Sequence, residues 1–146
     1  MGTMDAAVFA ERVMAVERHL KRVAEKLPQA PGDLAPGSDA ADSVVLHLWQ
    51  ALQIVIDLAM SACAKLSLGT PATYADAFRR LSRAGVIDSD LGERLARAAG
   101  FRNIIVHAYE GLDLVRVHAI ATHGPNDLRA FLVSMRDRVV LRPTPR

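Results

Sequence analysis

Residues 39–66 constrain the fold more than any other stretch of this chain. Val44, Leu48, Leu52, Val55 and Ala59 recur at helical spacing on one side. Val45, Trp49, Ile56 and Met60 form a second stripe beside them. A helix apolar around most of its girth has to be central and packed on more than one side. Such a segment demands other helices around it, with a remaining face for a partner chain. It does not read as a membrane span. No apolar run reaches the roughly 18 residues required, and the best one, 51–64, is interrupted by Gln53 and Asp57. Asp57 has two readings. As a buried carboxylate it needs a partner, for which an arginine of the fourth helix is the obvious choice; otherwise it stands at an exposed edge.

The flanking sequence supplies the packing helices. Over residues 5–27, Phe9, Val13, Val16, Leu20, Val23 and Leu27 alternate in steps of four and three, which predicts one apolar stripe. Glu17 and Lys21 are spaced as an i,i+4 pair, and Pro28 stops the helix. Residues 28–38, with three prolines and two glycines, predict a loop too short to separate domains. A short third helix follows Gly69-Thr70-Pro71. Thr73 and Asp76 are its capping pair, Tyr74, Phe78 and Leu81 its apolar stripe, and Gly85 its C-cap. Asp88, Ser89 or Asp90 caps a fourth helix that reaches Gly100, where close packing or a kink is the usual reason for a glycine. Gly111 ends it after Tyr109. Residues 112–121 read as a short helix. Gly124-Pro125-Asn126-Asp127 then opens the last one, carrying Leu128, Phe131, Leu132 and Met135, with Arg136 and Arg138 at its C-terminal end. Residues 142–146 read as a frayed basic tail. The expectation is a single all-α domain over 1–146, a bundle of about five helices.

Composition narrows the classes. At 146 residues, 51% apolar, the chain is long enough for one well-filled core and too apolar for disorder. Cys63 stands alone, so neither an intrachain disulfide nor a cysteine zinc site is available. His19, His47, His118 and His123 lack metal-ligand spacing, and His118 and His123 read as surface residues. Asp5, Glu11 and Arg12 occupy the place of a signal-peptide core, so a cytoplasmic location is expected. Net charge is +2, unevenly placed: residues 1–73 carry six bases and eight acids, residues 74–146 twelve and eight, and all twelve are arginine. Arginine forks suit phosphate, but replacement of lysine by arginine in an Ala- and Arg-rich proteome is the better explanation of the bias.

The densest polar group lies in residues 101–109, Phe-Arg-Asn-Ile-Ile-Val-His-Ala-Tyr. The Arg-Asn-x3-His-x-Tyr pattern, preceded by Gly-Phe, resembles the signature of HEPN domains, and of HepT toxins in particular. So do the Gly-x-Pro-x-x-Tyr-x-x-x-Phe-x-x-Leu stretch from Gly69 to Leu81, the turn Gly85-Val86-Ile87 and Leu112-Asp113. The resemblance covers most of the chain from about Asp42. It implies an HEPN-like fold, a homodimer and a metal-independent endoribonuclease acting on cellular RNA, tRNA among the candidates. No cofactor, no metal and no membrane partner are expected. Arg102 and His107 would be catalytic and Asn103 supporting. Asp57 falls where the family tends to have an aspartate, without the histidine that often follows it. The resemblance also implies a nucleotidyltransferase antitoxin that silences the toxin by transferring AMP to Tyr109.

The residue types suit that chemistry. A 2′-hydroxyl must lose a proton to attack its phosphate, and the leaving 5′-oxygen must gain one. A histidine can do either, and a guanidinium stabilises the charge gathering on phosphorus. Asn103, four residues before His107, can orient the imidazole or bind phosphate. On a straight helix Arg102 and His107 are about 140° apart and Tyr109 within about 20° of Arg102. Either the arginine wraps round, the helix is irregular, or a second subunit completes the site. Two rivals remain: a non-catalytic module that partners a nucleotidyltransferase or binds nucleotide, and a helical oligomer whose motif is structural.

Overall fold

In the computed structural model, which describes residues 4–107 and 109–140, five helices surround one core. They are α1 (Ala6–Lys26), α2 (Asp39–Lys65), α3 (Tyr74–Arg83), α4 (Ser89–His107) and α5 (Leu114–Arg138), with 3-10 turns at Pro31–Asp33 and Tyr109–Gly111. The basic tail expected at 142–146 lies outside the described residues.

Helix α2 packs against α1, α3, α4 and α5, as its two apolar stripes require. Val44, Leu48, Leu52, Val55 and Ala59 of the first stripe are all buried. Val45 and Ile56 of the second are buried too, whereas Trp49 and Met60 reach its margin. Averaged across Gln53 and Asp57, α2 is long and apolar enough to cross a membrane, with a mean hydropathy of 1.5. Half of that stretch is nevertheless buried inside the protein, as befits a core helix. Phe78 of α3 meets Phe131 of α5 edge-on, with centroids 5.6 Å apart, a favoured aromatic geometry. Met4 N–H donates to Val139 O at 3.0 Å and draws the two ends of the described chain together.

The helix ends follow the capping residues. Asp5 accepts from Val8 N, Ser38 from Ala41 N, Thr73 from Asp76 N, and Asp113 from Val115 N and Arg116 N. Of the three candidates for α4, Asp88 is the cap, accepting from Leu91 N at 2.8 Å. Each bond satisfies a backbone donor that the helix cannot. Gly85, at φ +77°, closes α3: Val86 N–H donates to Leu81 O and Gly85 N–H to Ser82 O, a left-handed C-terminal cap.

Four details depart from the sequence reading. The two helices expected after Gly111 are one, α5, with Pro125 inside it. Val117, His118 and Ala121 are buried before the proline, and Leu128, Phe131 and Met135 after it. That continuous buried face overrides the hydrogen bond Pro125 cannot donate. His118, expected at the surface, is buried and bonds through Nε2 to Pro28 O at 2.7 Å. Glu17 accepts from Arg129 at 2.9 Å instead of pairing with Lys21. Gly100 has open space where a Cβ would stand, so close packing does not explain it. The packing glycine is Gly92, whose Cβ would stand 2.8 Å from Ser82 Cβ.

Candidate functional site

Arg102 leaves α4 next to α2, and its guanidinium is held from three sides. Nε donates to Gln53 Oε1 at 2.6 Å and Nη1 to Asn103 Oδ1 at 3.1 Å, while the group lies over the Tyr74 ring, 5.3 Å from its centroid. Gln53 in turn donates Nε2 to Asp57 Oδ1 at 2.9 Å. A carboxylate can only accept, so Asp57 fixes which end of the amide is which and aims the Gln53 carbonyl at Arg102. This corrects one of the two readings of Asp57. The carboxylate is exposed and reaches the arginine through Gln53, with no direct ion pair. A helix apolar on most sides still has a rim, and Gln53 and Asp57, one turn apart, share it.

Arg102 has five N–H groups. The two described bonds use Nε and one Nη1 hydrogen, and Nη2 makes no bond to a described residue. The anchored guanidinium therefore keeps a free edge for an anion. Asn103 meets Arg102 and not the imidazole. His107 is exposed in the last turn of α4, and no described side chain hydrogen-bonds to it. Within one chain, then, Arg102, Asn103, Gln53 and Asp57 form one connected group, and His107 stands apart from it.

Tyr109 lies beyond the helix. Helix α4 ends at His107, and Tyr109 opens the 3-10 turn Tyr109–Gly111, so the straight-helix angle between Arg102 and Tyr109 does not apply. Its hydroxyl donates to Oδ1 of Asp42, in the first turn of α2, at 2.7 Å. That hydrogen bond, then burial and the carboxylate charge, raise the phenol above its ordinary value. The ring is 46% exposed and borders two hollows. One is lined by Pro36, Val45, Leu112 and Leu114, the other by Leu46, Trp49 and Val106. Leu46, Ile104 and Val106 are exposed large apolar side chains near the motif. The Trp49 indole N–H is buried without a partner among the described residues.

Sequence reasoning missed Gln53, Asp42 and Tyr74. Gln53 was legible only as an interruption of an apolar run. Asp42 carried no signal, and Tyr74 was legible only as part of the third helix's stripe and of the Gly69–Leu81 stretch; their partners are 67 and 28 positions away. His19 and His47, unremarkable in spacing, meet across α1 and α2 with Nδ1 atoms 3.0 Å apart. Among the described residues no group of three metal-binding side chains forms.

Comparison with known proteins gives the family and the fold. A family model described as "Ribonuclease HepT-like" matches residues 16–135. The mRNA nuclease HepT of Shewanella oneidensis is 30% identical over 116 residues, which span 77% of this chain and 87% of that protein. The crystal structure of a toxin–antitoxin with AMP-PNP contains a chain of the same fold. It has a TM-score of 0.81 and 25% identity, over 90% of this chain and 99% of that one. The tri-AMPylated HEPN toxin of Shewanella oneidensis, solved in complex with MNT antitoxin, gives a TM-score of 0.77 at 26% identity, over 90% and 98%. The chain belongs to the HepT-like ribonuclease family, and the resemblance read from residues 69–113 is borne out together with the all-α, HEPN-like fold.

Proposed function

We propose that this chain is the toxin of a toxin–antitoxin pair: a cytoplasmic, metal-independent endoribonuclease that acts as a homodimer. The observation that carries the reading is the anchored Arg102. Gln53, Asn103 and Tyr74 fix the guanidinium while its Nη2 edge stays free to receive a phosphate oxygen. His107 moves the proton, taking it from the attacking 2′-hydroxyl or giving it to the leaving 5′-oxygen. Arg102 stabilises the charge gathering on phosphorus. Asn103 and Asp57 support it, Asn103 by accepting from Nη1 and Asp57 through Gln53.

The reaction needs both an acid and a base, and each chain supplies one histidine in this motif. A two-fold dimer supplies two. The exposed Leu46 and Val106 beside Trp49 support an apolar contact on this side of the molecule. The Shewanella oneidensis relative is named an mRNA nuclease, so mRNA joins tRNA as a substrate to test.

The partner is a nucleotidyltransferase antitoxin that transfers AMP to Tyr109. The solved relative is AMPylated and bound to an MNT antitoxin, and here Tyr109 is a half-exposed residue close in sequence to His107. An added phosphodiester brings bulk and negative charge to a site that must receive RNA phosphate. Expression in a host with and without the nucleotidyltransferase tests the reading. Growth should stop without the partner and resume with it, and Arg102→Ala or His107→Ala should abolish toxicity while the protein remains folded. A harmless wild-type chain expressed alone, with Tyr109 unmodified, would contradict it and favour a non-catalytic partner of the nucleotidyltransferase.

A further inference from the structure

The Tyr109 hydroxyl is not free. It donates to Asp42 Oδ1 at 2.7 Å, across 67 positions of sequence, and no other described residue hydrogen-bonds to that carboxylate. Asp42 is exposed, and its place in the first turn of α2 fixes it on the rigid core of the bundle. A phenol is a weak nucleophile until its proton leaves, and a base within hydrogen-bond reach is the usual remedy. Protein kinases place an aspartate against the attacking hydroxyl in the same way.

Resting on the reading of Tyr109 as the AMP acceptor, we infer that Asp42 of the toxin is itself a catalytic residue of that modification, the general base that takes the proton from the tyrosine. The partner supplies a nucleoside triphosphate. Tyr109 Oη attacks its α-phosphorus, and the Oη–P bond forms. The bond from that phosphorus to the bridging oxygen breaks, and pyrophosphate leaves with the electron pair. The hydroxyl proton passes to Asp42 Oδ1 and from there to water. The modified chain thus contributes half of the machinery that silences it, and the antitoxin needs no base of its own over Tyr109.

The ground state fits this assignment. The same hydrogen bond, followed by burial and the carboxylate charge, holds the phenol above its ordinary value. Free phenolate is therefore scarce at neutral pH, and the proton has to leave during the attack. The 2.7 Å contact exists before any partner binds, so no rearrangement of the toxin is needed to bring base and nucleophile together.

The test uses the full chain with its nucleotidyltransferase, ATP and magnesium. AMP addition is followed by intact mass for wild type, Asp42→Asn, Asp42→Glu and Tyr109→Phe, and partner affinity is measured for each. Asp42→Asn should slow the addition about 100-fold or more at pH 7 with affinity preserved. Its rate should then rise about tenfold per pH unit as phenolate becomes available, while the wild-type rate stays flat. Asp42→Glu should recover part of the rate. Asp42→Asn at the wild-type rate, or slowed by one factor at every pH, would overturn the inference and leave the tyrosine assignment intact. AMP addition unchanged in Tyr109→Phe would remove the acceptor reading and this inference with it. RNA cleavage by unmodified Asp42→Asn reads the ribonuclease separately and should match wild type.

Discussion

Replacing Gly92 and Gly100 by alanine makes the same change twice on α4 and should give opposite results. Alanine in place of glycine favours a helix by about 1 kcal/mol. At Gly100 nothing stands within 4 Å of the new Cβ, so the full gain should appear. At Gly92 the new Cβ would stand 2.8 Å from Ser82 Cβ and 3.2 Å from its Oγ, with Phe78 O at 3.5 Å. Neither Ser82 Cβ nor a helix backbone can swing aside, so α3 and α4 must separate. Overpacking of this kind costs about 1–3 kcal/mol. After the helix gain, Gly92→Ala should be destabilised by up to about 2 kcal/mol. For a domain of this size each kilocalorie shifts the melting temperature by about 3 °C. Melting and urea unfolding of both variants, with Ser82→Gly and the Gly92→Ala/Ser82→Gly double variant, complete the cycle. The double variant should be more stable than the two single losses sum to, because the clash is gone. Gly92→Ala as stable as Gly100→Ala, or additive with Ser82→Gly, would refute the close α3–α4 contact.

Three further outcomes are expected. Gln53→Leu should change stability by no more than about 1 kcal/mol but lower RNA cleavage about tenfold, since Arg102 loses the acceptor that aims it; Asp57→Asn should have a smaller effect in the same direction, and both are read by cleavage rates on folded protein. Pro125→Ala should raise stability by about 1–3 kcal/mol by restoring a donor inside α5, and an unchanged or lowered urea midpoint would speak against a continuous helix there. Burial first, then His47 and Arg18, lower the His19 pKa from 6.5; the stability this contributes is present above that unfolded value and lost as pH falls through the folded one, so unfolding between pH 7 and 5 should show a loss that His19→Asn flattens.

Helix positions were legible because burial in a bundle writes itself as a 3.6-residue period, and Thr73, Asp88 and Gly85 act locally. Pro125 misled because its effect on the backbone is local whereas the buried face from Val117 to Met135 is tertiary. His118 was misread for a similar reason. Nothing adjacent announces a bond to Pro28, 90 positions earlier. The core of the proposed site, Arg102 and His107, was legible as residue types at a spacing. Its geometry was not, because the groups that hold Arg102 and Tyr109 are Gln53, Tyr74 and Asp42 on other helices. Asp57 shows the limit: its sequence environment is apolar, yet whether it faced the core or the rim depended on which neighbours covered that side of α2.

The proposed reaction is RNA cleavage by Arg102 and His107 without a metal. The direct measurement is cleavage of labelled tRNA and mRNA in EDTA by the purified chain with Tyr109 verified as unmodified, beside folded Arg102→Ala and His107→Ala. Cleavage by wild type alone is expected, with products ending in 2′,3′-cyclic phosphate. Cleavage that disappears in EDTA, or that persists in either variant, would contradict it.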